Sequence, residues 1–211
     1  MRLALRHPQS RFITLEGGEG TGKSTLSRGL AEALRGAHEV VLTREPGGAP
    51  GADAIRALLV SGDAARWTAH EEALLFAAAR LNHLNHTIRP ALARGALVIC
   101  DRYFDSTRAY QVGGSDLDPA VLDALNAQIH ADIPDLTLVL DIDPSVGLQR
   151  SRGVDVGEDR FEKKDPSFHA RVRAEFLNIA AREPARCATI DASQDAAAVL
   201  REALRIIEAR L

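Results

Sequence analysis

The sequence predicts an α/β protein of three layers, in which a five-stranded parallel sheet is flanked by helices. Two observations lead to this prediction. Short apolar runs alternate with helical patterns along the chain, and these runs are almost continuously apolar, as in strands covered on both faces. Strands that alternate with helices form parallel sheets. The predicted strands are Phe12–Leu15, Val40–Thr43, Leu97–Cys100, Leu136–Leu140 and Ala188–Ile190.

Helical patterns fill most of the sequence between and after these strands. Proline at the first turn of one of them follows Asp118, whose carboxylate can cap the free N–H groups there. The last pattern has one apolar stripe, typical of a helix packed on a core. The predicted helices are Lys23–Arg35, Ala69–Arg94, Pro119–Ile129, Phe168–Arg182 and Ala196–Leu211.

Length and composition indicate one globular domain over residues 1–211. Apolar residues make up 45% and charged residues 26%, and no repeat or long linker divides the chain. Residues 1–10 form an N-terminal extension to which no role is assigned. Residues 151–164 are charged, contain Gly153 and Gly157, and lack helical periodicity. They are either a solvated loop or a mobile lid over an active site.

Charge and cysteine content limit the partners and the compartment. The net charge of −3 argues against a general nucleic-acid-binding protein, and no long uncharged apolar stretch indicates a membrane span or signal peptide. Cys100 and Cys187 lie in apolar runs without CxxC spacing. We expect buried free thiols in a reducing compartment, the cytoplasm.

A glycine-rich motif between the first strand and the first helix is the strongest functional signal. It fits the phosphate-binding pattern G-x-x-x-x-G-K-[ST], whose backbone N–H groups surround phosphate oxygens. Lys23 adds a charge for the β- and γ-phosphates, and Ser24 adds a hydroxyl for Mg²⁺. These features predict the P-loop NTPase fold with ATP and Mg²⁺ as ligands. The ATP-binding residues are Gly17, Gly18, Glu19, Gly20, Thr21, Gly22, Lys23 and Ser24.

Other nucleotide-binding classes fit the sequence less well. A dinucleotide-binding G-x-G-x-x-G loop needs glycine where Lys23 stands. A GTPase switch normally carries N-K-x-D, and none of the asparagines in this sequence precedes lysine. These differences favour a phosphate-transferring kinase.

Polar residues that end the second and third predicted strands belong to the same site. Arg44 and Arg102 should face the P-loop, because ligands of open α/β sheets bind beyond the carboxyl ends of the strands. Guanidinium groups bind phosphate in a bidentate manner. Asp101, beside Arg102, either holds Mg²⁺ or orients the arginine.

Several motifs together resemble those of bacterial thymidylate kinases, from Phe12 to the last helix. The resemblance implies an enzyme that phosphorylates dTMP to dTDP with ATP-Mg²⁺ in dTTP biosynthesis, and that forms a homodimer. The matching residues are the P-loop with Glu19, Thr43-Arg44-Glu45-Pro46-Gly47-Gly48, Phe76 to Arg80, Asp101-Arg102-Tyr103, Ser106-Thr107-Arg108-Ala109-Tyr110-Gln111 and Asp159-Arg160-Phe161-Glu162.

The resemblance also implies roles for single residues. Phe76 would stack on thymine, although a plain core position is an open alternative for this residue. Arg44 and Arg102 would hold the monophosphate. Arg80, Ser106, Thr107 and Gln111 would recognise the base, and Glu19 and Tyr110 would border the deoxyribose where a 2′-hydroxyl is crowded.

One departure from the family concerns the arginine that completes catalysis. Some members carry it in the P-loop, where this chain has Gly20, so the resemblance assigns the task to the lid. Arg150 is placed on the helix before the lid. We therefore expect Arg152 or Arg160 to meet the transferring phosphoryl group, with Lys23 and Arg102 as the other catalytic residues.

Three alternatives remain open from the sequence. The acceptor could be another nucleotide or nucleoside, or the chain could be a regulatory nucleotide-binding module without transfer activity. His83 and His86, one helical turn apart, could in principle share a metal ion. With no third ligand nearby, we expect them on the helix surface.

Overall fold

The central layer is a five-stranded parallel sheet in the order β2-β3-β1-β4-β5. The computed structural model describes residues 12–63, 65–151 and 160–211. The predicted fold class and all predicted strands are confirmed, and each strand continues one residue further at its carboxyl end. The strands are β1 Phe12–Glu16, β2 Val40–Arg44, β3 Leu97–Asp101, β4 Leu136–Asp141 and β5 Cys187–Asp191.

Helices cover both faces of this sheet. Two of them, α1 and α9, pack on one face, and the other helices that contact the sheet, including α4 and α8, lie on the opposite face. None of the described helices is long and apolar enough to cross a membrane. The helices are α1 Lys23–Leu34, α2 Pro50–Val60, α3 Ala69–His83, α4 Arg89–Ala93, α5 Phe104–Thr107, α6 Pro119–Gln128, α7 Pro144–Ser151, α8 Pro166–Arg182 and α9 Ala196–Arg210, with π-helical segments at Leu84–Ile88 and Arg108–Gly114.

The long helix predicted at Ala69–Arg94 is interrupted by a π-helical segment. Helix α3 continues directly into Leu84–Ile88 and then into α4, where Pro90 is in the first turn. Proline has no N–H and cannot continue the α-helical hydrogen bonding. The helical region therefore has nearly the predicted length, but it is not one regular α-helix, because its middle is π-helical.

Helices α2, α5 and α7 were not predicted, because each is short and lacks a long apolar stripe. Two of them nevertheless carry a local start signal. Pro50 and Pro144 occupy the first position of α2 and α7, where a missing N–H costs nothing. Helix α7 includes Ser151, so the segment predicted to be irregular begins as helix.

Apolar clusters on both faces of the sheet hold the layers together. One lies between the sheet and helices α1 and α9, with Leu15, Leu30, Leu138 and Ile207 fully buried. The second lies on the other face, under α4. The expected coverage on both faces is wrong for β2, an edge strand whose Leu42 is 37% exposed.

A line of polar side chains crosses the buried sheet. Thr14 and Thr137 are paired neighbours on β1 and β4, and their hydroxyls share a hydrogen bond of 2.8 Å. Arg186 donates to the Thr137 hydroxyl at 2.8 Å and forms a bidentate pair with Asp105 at 2.7 and 2.8 Å. Arg186 also pairs with Glu183. The ion pair of Arg186 with Asp105 ties the start of β5 to the segment that follows β3.

We predict that Arg186→Ala destabilises the fold by about 3–5 kcal/mol, because it leaves the carboxylate of Asp105 buried and unpaired. The side chains of Arg186 and Asp105 are only 10% and 2% exposed. Arg205→Ala is a matched control, since Arg205 also pairs with a glutamate three residues earlier but is 67% exposed. Urea unfolding compares the two variants. Equal stability of Arg186→Ala and Arg205→Ala would contradict the prediction.

Candidate active site

The glycine-rich loop between β1 and α1 is shaped to receive an anion. Gly17, Gly20 and Gly22 have φ angles of 139°, 63° and 88°, which other residues rarely adopt. Gly22 is also the residue before the first turn of α1, whose free N–H groups therefore face the loop. Such a loop at a helix N-terminus offers backbone donors and partial positive charge to phosphate.

Lys23 lies folded over this loop. Its Nζ donates to the carbonyl oxygens of Gly18 and Gly17, at 2.7 and 3.1 Å, and to the hydroxyl of Thr21 at 3.2 Å. Burial and the nearby charge of Arg102 lower the pKa of Lys23 to about 8. An arriving phosphate would favour the ammonium form again, since opposite charges stabilise each other.

The tip of the loop touches the backbone of α7. A Cβ atom built on Gly20 would overlap the carbonyl group of Gly147, and one built on Gly147 would overlap the carbonyl oxygen of Glu19. The loop and the helix can approach this closely only because both positions are glycine. Gly20 therefore has a steric role in addition to its backbone conformation.

Arg102 lies against the loop and pairs with one of its residues. Its Nη1 donates to the carbonyl of Gly17 at 2.8 Å, and its Nη2 donates to both carboxylate oxygens of Glu19 at 3.1 Å. The hydroxyl of Tyr110 donates to Glu19 at 2.6 Å. Burial alone would raise the pKa of Glu19, but the charges of Arg102 and Lys23 and the hydrogen bond from Tyr110 outweigh it and lower the pKa to about 2.

Glu16, at the end of β1, supports the segment that carries Arg102. One carboxyl oxygen accepts from the backbone N–H of Tyr103 at 2.8 Å, and the other accepts from the Ser106 hydroxyl at 2.5 Å. Arg102 itself has φ of 66°, and its Nη1 donates to Ser106 at 3.2 Å. Burial and the negative charge of Asp105 raise the pKa of Glu16 to about 8.

These elements surround one cavity of about 640 Å³. Arg44, at the end of β2, is exposed on its wall, so the two arginines predicted to face the P-loop share the cavity with it. Among the predicted site residues, the cavity is lined by Glu19, Gly20, Thr21, Gly22, Lys23, Ser24, Arg44, Phe76, Arg80, Asp101, Arg102, Ser106, Thr107, Tyr110 and Gln111.

Two oxygen-bearing side chains at the loop end of the cavity are suited to Mg²⁺. The Ser24 hydroxyl donates to Asp101 Oδ2 at 2.8 Å, and Ser24 is exposed. A hydroxyl and a carboxylate are hard oxygen ligands of the kind that Mg²⁺ prefers, and such sites leave other positions to phosphates and water. The two residues therefore fit the ion that the sequence predicts.

The opposite end of the cavity contains the residues predicted to recognise a base. Phe76 is half-buried, and its ring centroid lies 6.4 Å from that of Phe161. Arg80 is buried and donates from Nη2 to Thr107 at 2.9 Å, and buried Gln111 donates from Nε2 to Glu72 at 2.7 Å. Within residues 12–63, 65–151 and 160–211, Arg80 Nη1 and Gln111 Oε1 have no hydrogen-bond partner, and neither does the hydroxyl of Tyr103, which also lines the cavity.

Glu45 holds Arg80 in place together with a histidine. Arg80 Nε donates to Glu45 Oε2 at 2.8 Å, and His83 Nδ1 donates to Glu45 Oε1 at 3.1 Å. His83 Nε2 is 2.7 Å from the hydroxyl of Thr43. The expected surface position of His83 is thus wrong. Its ring is completely buried because both nitrogens have partners there.

The lid arginines do not all lie where the sequence analysis expected them. Arg160 is fully buried: Nε donates to the carbonyl of Leu59 at 2.6 Å and Nη2 pairs with Glu72. In this position its guanidinium is engaged away from the phosphate loop. Arg150, on α7, donates to the carbonyl of Ala192 at 2.8 Å and lines the cavity. Arg152, with residues 153–159 of the predicted lid, lies outside the described residues.

Sequence reasoning missed three buried glutamates that shape the site: Glu16, Glu45 and Glu72. Glu16 follows a continuous apolar run, and an acidic residue there is a detectable sign of a buried, partnered carboxyl group. Glu45 belongs to the motif Thr43–Gly48, but the sequence alone assigned it no role. Nothing in the local sequence distinguishes Glu72 from an ordinary acidic residue in the first turn of a helix.

Comparison with known proteins agrees with this geometry. The thymidylate kinase family model matches residues 15–203. Thymidylate kinase of Caulobacter vibrioides is 51% identical over 207 residues, covering 96% of this chain and 98% of that protein. Thymidylate kinase of Ruegeria pomeroyi is 50% identical, covering 93% of both chains.

A solved structure shares the fold over nearly the same span. The crystal structure of thymidylate kinase from Ehrlichia chaffeensis superposes with a TM-score of 0.75 at 32% sequence identity, covering 93% of this chain and 98% of that one. The match in sequence and in fold, over nearly the whole chain, shows that the protein described here belongs to the thymidylate kinase family.

Proposed function

We propose that this protein transfers the γ-phosphoryl group of ATP to dTMP, giving ADP and dTDP for dTTP synthesis. The observation that carries the proposal concerns two of the unsatisfied buried atoms on residues that line the cavity, the donor Arg80 Nη1 and the acceptor Gln111 Oε1. Thymine presents a C4 carbonyl beside N3–H, which is the complementary pair. A buried polar atom without a partner is costly, so a ligand that satisfies both gains affinity.

The surrounding side chains suit the rest of a thymidine. Phe76 lines the cavity and offers a stacking surface, and Ser106 and Thr107 line the same cavity. Glu19 and Tyr110, joined by their hydrogen bond, border the sugar. In this proposal the pair crowds the position of a 2′-hydroxyl, so the expected acceptor is a deoxyribonucleotide.

The phosphates of the donor bind at the P-loop. The backbone N–H groups of the loop and the Lys23 ammonium hold the β- and γ-phosphates. Ser24 and Asp101 would hold Mg²⁺, which would supply positive charge to neutralise the phosphates of the donor. When the donor binds, Lys23 gives up its hydrogen bonds to the carbonyl oxygens of Gly17 and Gly18 and binds phosphate oxygens instead.

The monophosphate of the acceptor is held by arginines on the facing side. Arg102 lies between the P-loop and the acceptor pocket, so it can place an acceptor oxygen in line with the γ-phosphorus. Arg44 is exposed on the cavity wall and adds a second guanidinium. The attacking oxygen is already anionic, so no general base is required. Positioning and charge stabilisation account for the catalysis.

We also propose Arg152 as the residue that meets the transferring phosphoryl group. The P-loop has Gly20 instead of arginine, and Arg160 is occupied by Glu72. Arg150 is tied to the carbonyls after β5, at Ala192 and Ser193. Arg152 follows directly on α7, whose backbone touches the P-loop.

A homodimer in the cytoplasm completes the proposal. Leu74 and Leu81 lie two turns apart on α3 and are 47% and 37% exposed, which supports a partner surface there. Cys100 and Cys187 are buried free thiols, as expected for a protein of a reducing compartment.

Acceptor specificity is the direct test of the base pocket. We predict that kcat/KM for dTMP exceeds that for dCMP by ~10³-fold or more, because cytosine places a donor at C4 and an acceptor at N3 and leaves buried atoms unpaired. A coupled assay of ADP release with dTMP, dUMP, dCMP, dGMP and UMP measures the ratios. Similar rates for dTMP and dCMP would refute the assigned pocket, and no turnover with any acceptor would favour a regulatory module.

Arg44→Ala tests the separation of donor and acceptor sites. We expect dTMP binding to weaken by ~10–100-fold, because a hydrogen-bonded charge is removed from the acceptor side, with ATP binding nearly unchanged. Arg94→Ala is the control, since Arg94 precedes β3, at the other end of the sheet, and pairs with exposed Glu39. Titration calorimetry with each nucleotide decides the matter. Equal losses for dTMP and ATP in Arg44→Ala would contradict the division.

Arg152→Ala should lower kcat by ~10–1000-fold with little change in either KM. An interaction made mainly in the transition state affects kcat rather than ground-state binding. Steady-state kinetics over both substrates measures this, with exposed Arg205→Ala as the control. A variant with unchanged kcat would remove Arg152 from the mechanism.

A further inference from the structure

We propose that Arg160 and Glu72 are positioning residues for base recognition: together they fix the amide of Gln111 so that its oxygen, and not its nitrogen, faces the acceptor. The inference deepens the proposed function and rests on it, because it concerns how the same pocket selects thymine. It gives Arg160 a task other than contact with the transferring phosphoryl group.

Arg160 is held firmly at the junction of two helices. Its Nε donates to the Leu59 carbonyl at 2.6 Å and its backbone N–H donates to the Val60 carbonyl at 3.3 Å, both at the end of α2. Its Nη2 donates to Oε1 of Glu72 on α3, and its guanidinium carbon lies 4.6 Å from the ring centroid of Phe161. Arg160 and Glu72 are buried. The pair therefore forms a fixed charged contact inside the protein.

The other oxygen of Glu72 determines the orientation of Gln111. Glu72 Oε2 accepts from Gln111 Nε2 at 2.7 Å. A carboxylate can only accept hydrogen bonds, so the amide NH₂ has to face Glu72 and the amide oxygen has to face away from it. That oxygen is the unsatisfied Oε1 on the cavity side. The acceptor oxygen of Glu72 thus sets which of the two amide orientations Gln111 adopts.

Arg160 holds Glu72 in the position that this orientation requires. Its guanidinium has only donors, and its Nη2 occupies Glu72 Oε1, which leaves Oε2 to accept from Gln111. Without that contact the Glu72 side chain can turn, and Gln111 loses the acceptor that orients its amide. With Arg160 in place only the amide oxygen is presented, which matches N3–H of thymine and opposes the bare N3 of cytosine.

Glu72→Gln is the most informative variant, because it keeps the size of the side chain and reverses the hydrogen-bonding order. Arg160 has only donors, so the new glutamine must turn its oxygen toward Arg160 and its NH₂ toward Gln111. Gln111 then has to turn its own oxygen toward residue 72 and its NH₂ toward the acceptor. The preference for N3–H over bare N3 should fall.

The experiment measures kcat/KM for dTMP and for 5-methyl-dCMP, which share the methyl group and differ at C4 and N3. For Glu72→Gln we expect the ratio of the two values to fall by ~10–100-fold, corresponding to one charge-assisted hydrogen bond, with KM for ATP unchanged. Arg160→Met should lower the ratio in the same direction. Arg160→Lys keeps a cation for Glu72 and should recover most of the ratio.

A control variant and three possible results distinguish a failure of the positioning role from a failure of the proposed function. Arg89, on α4, pairs with Asp132 and does not line the cavity, so Arg89→Met should keep the parent ratio. If Glu72→Gln remains folded by urea unfolding and keeps the parent ratio, the positioning role is overturned while the proposed function stands. A loss confined to kcat in Arg160→Met, with the ratio unchanged, would return Arg160 to a catalytic role. A parent enzyme that does not discriminate between the two nucleotides would overturn both proposals.

Discussion

Parallel pairing of β1 with β3 is the constraint on which the site depends. Leu15 is in register with Asp101, and the N–H of Arg102 donates to the Leu15 carbonyl at 2.9 Å. This register brings the loop after β1 and the turn after β3 side by side, so that one supplies donors for phosphate and the other supplies Asp101 and Arg102. The carboxyl group of Glu16 secures the same junction through Tyr103 and Ser106. Shifting either strand by one residue would separate the halves of the site.

The features predicted from the sequence are those with local causes. Continuous apolar runs identified all five strands of the sheet. Buried strands of a parallel sheet have no polar face, and the edge strand β2 carries the same kind of apolar run although it is partly exposed. The P-loop was recognisable because its function requires glycines and a lysine at fixed spacing. Strand-end residues such as Arg44 and Arg102 could be assigned to the same cavity because the carboxyl ends of parallel strands share one edge.

What the sequence did not reveal depends on contacts between distant segments. Arg160 lies in a charged, glycine-containing segment and cannot be told from a mobile lid arginine by its sequence. Only its burial against Glu72 and Leu59 distinguishes it. His83 was expected on the helix surface together with His86, one turn further on. In the structure Thr43 and Glu45 provide hydrogen-bond partners for both of its ring nitrogens in the interior. Helices α2 and α7 are too short for periodicity to identify, although prolines mark their first positions.

The contact between Gly20 and Gly147 restricts how this enzyme could evolve. The resemblance described in the sequence analysis implies that some members of the family carry a catalytic arginine at the place of Gly20. A single substitution cannot introduce it here, because any side chain at position 20 would collide with the backbone of α7. Helix α7 would first have to move, and that move would itself alter the start of the segment that carries Arg152. An arginine at position 20 would therefore require coordinated changes in the P-loop and in α7, rather than one neutral exchange.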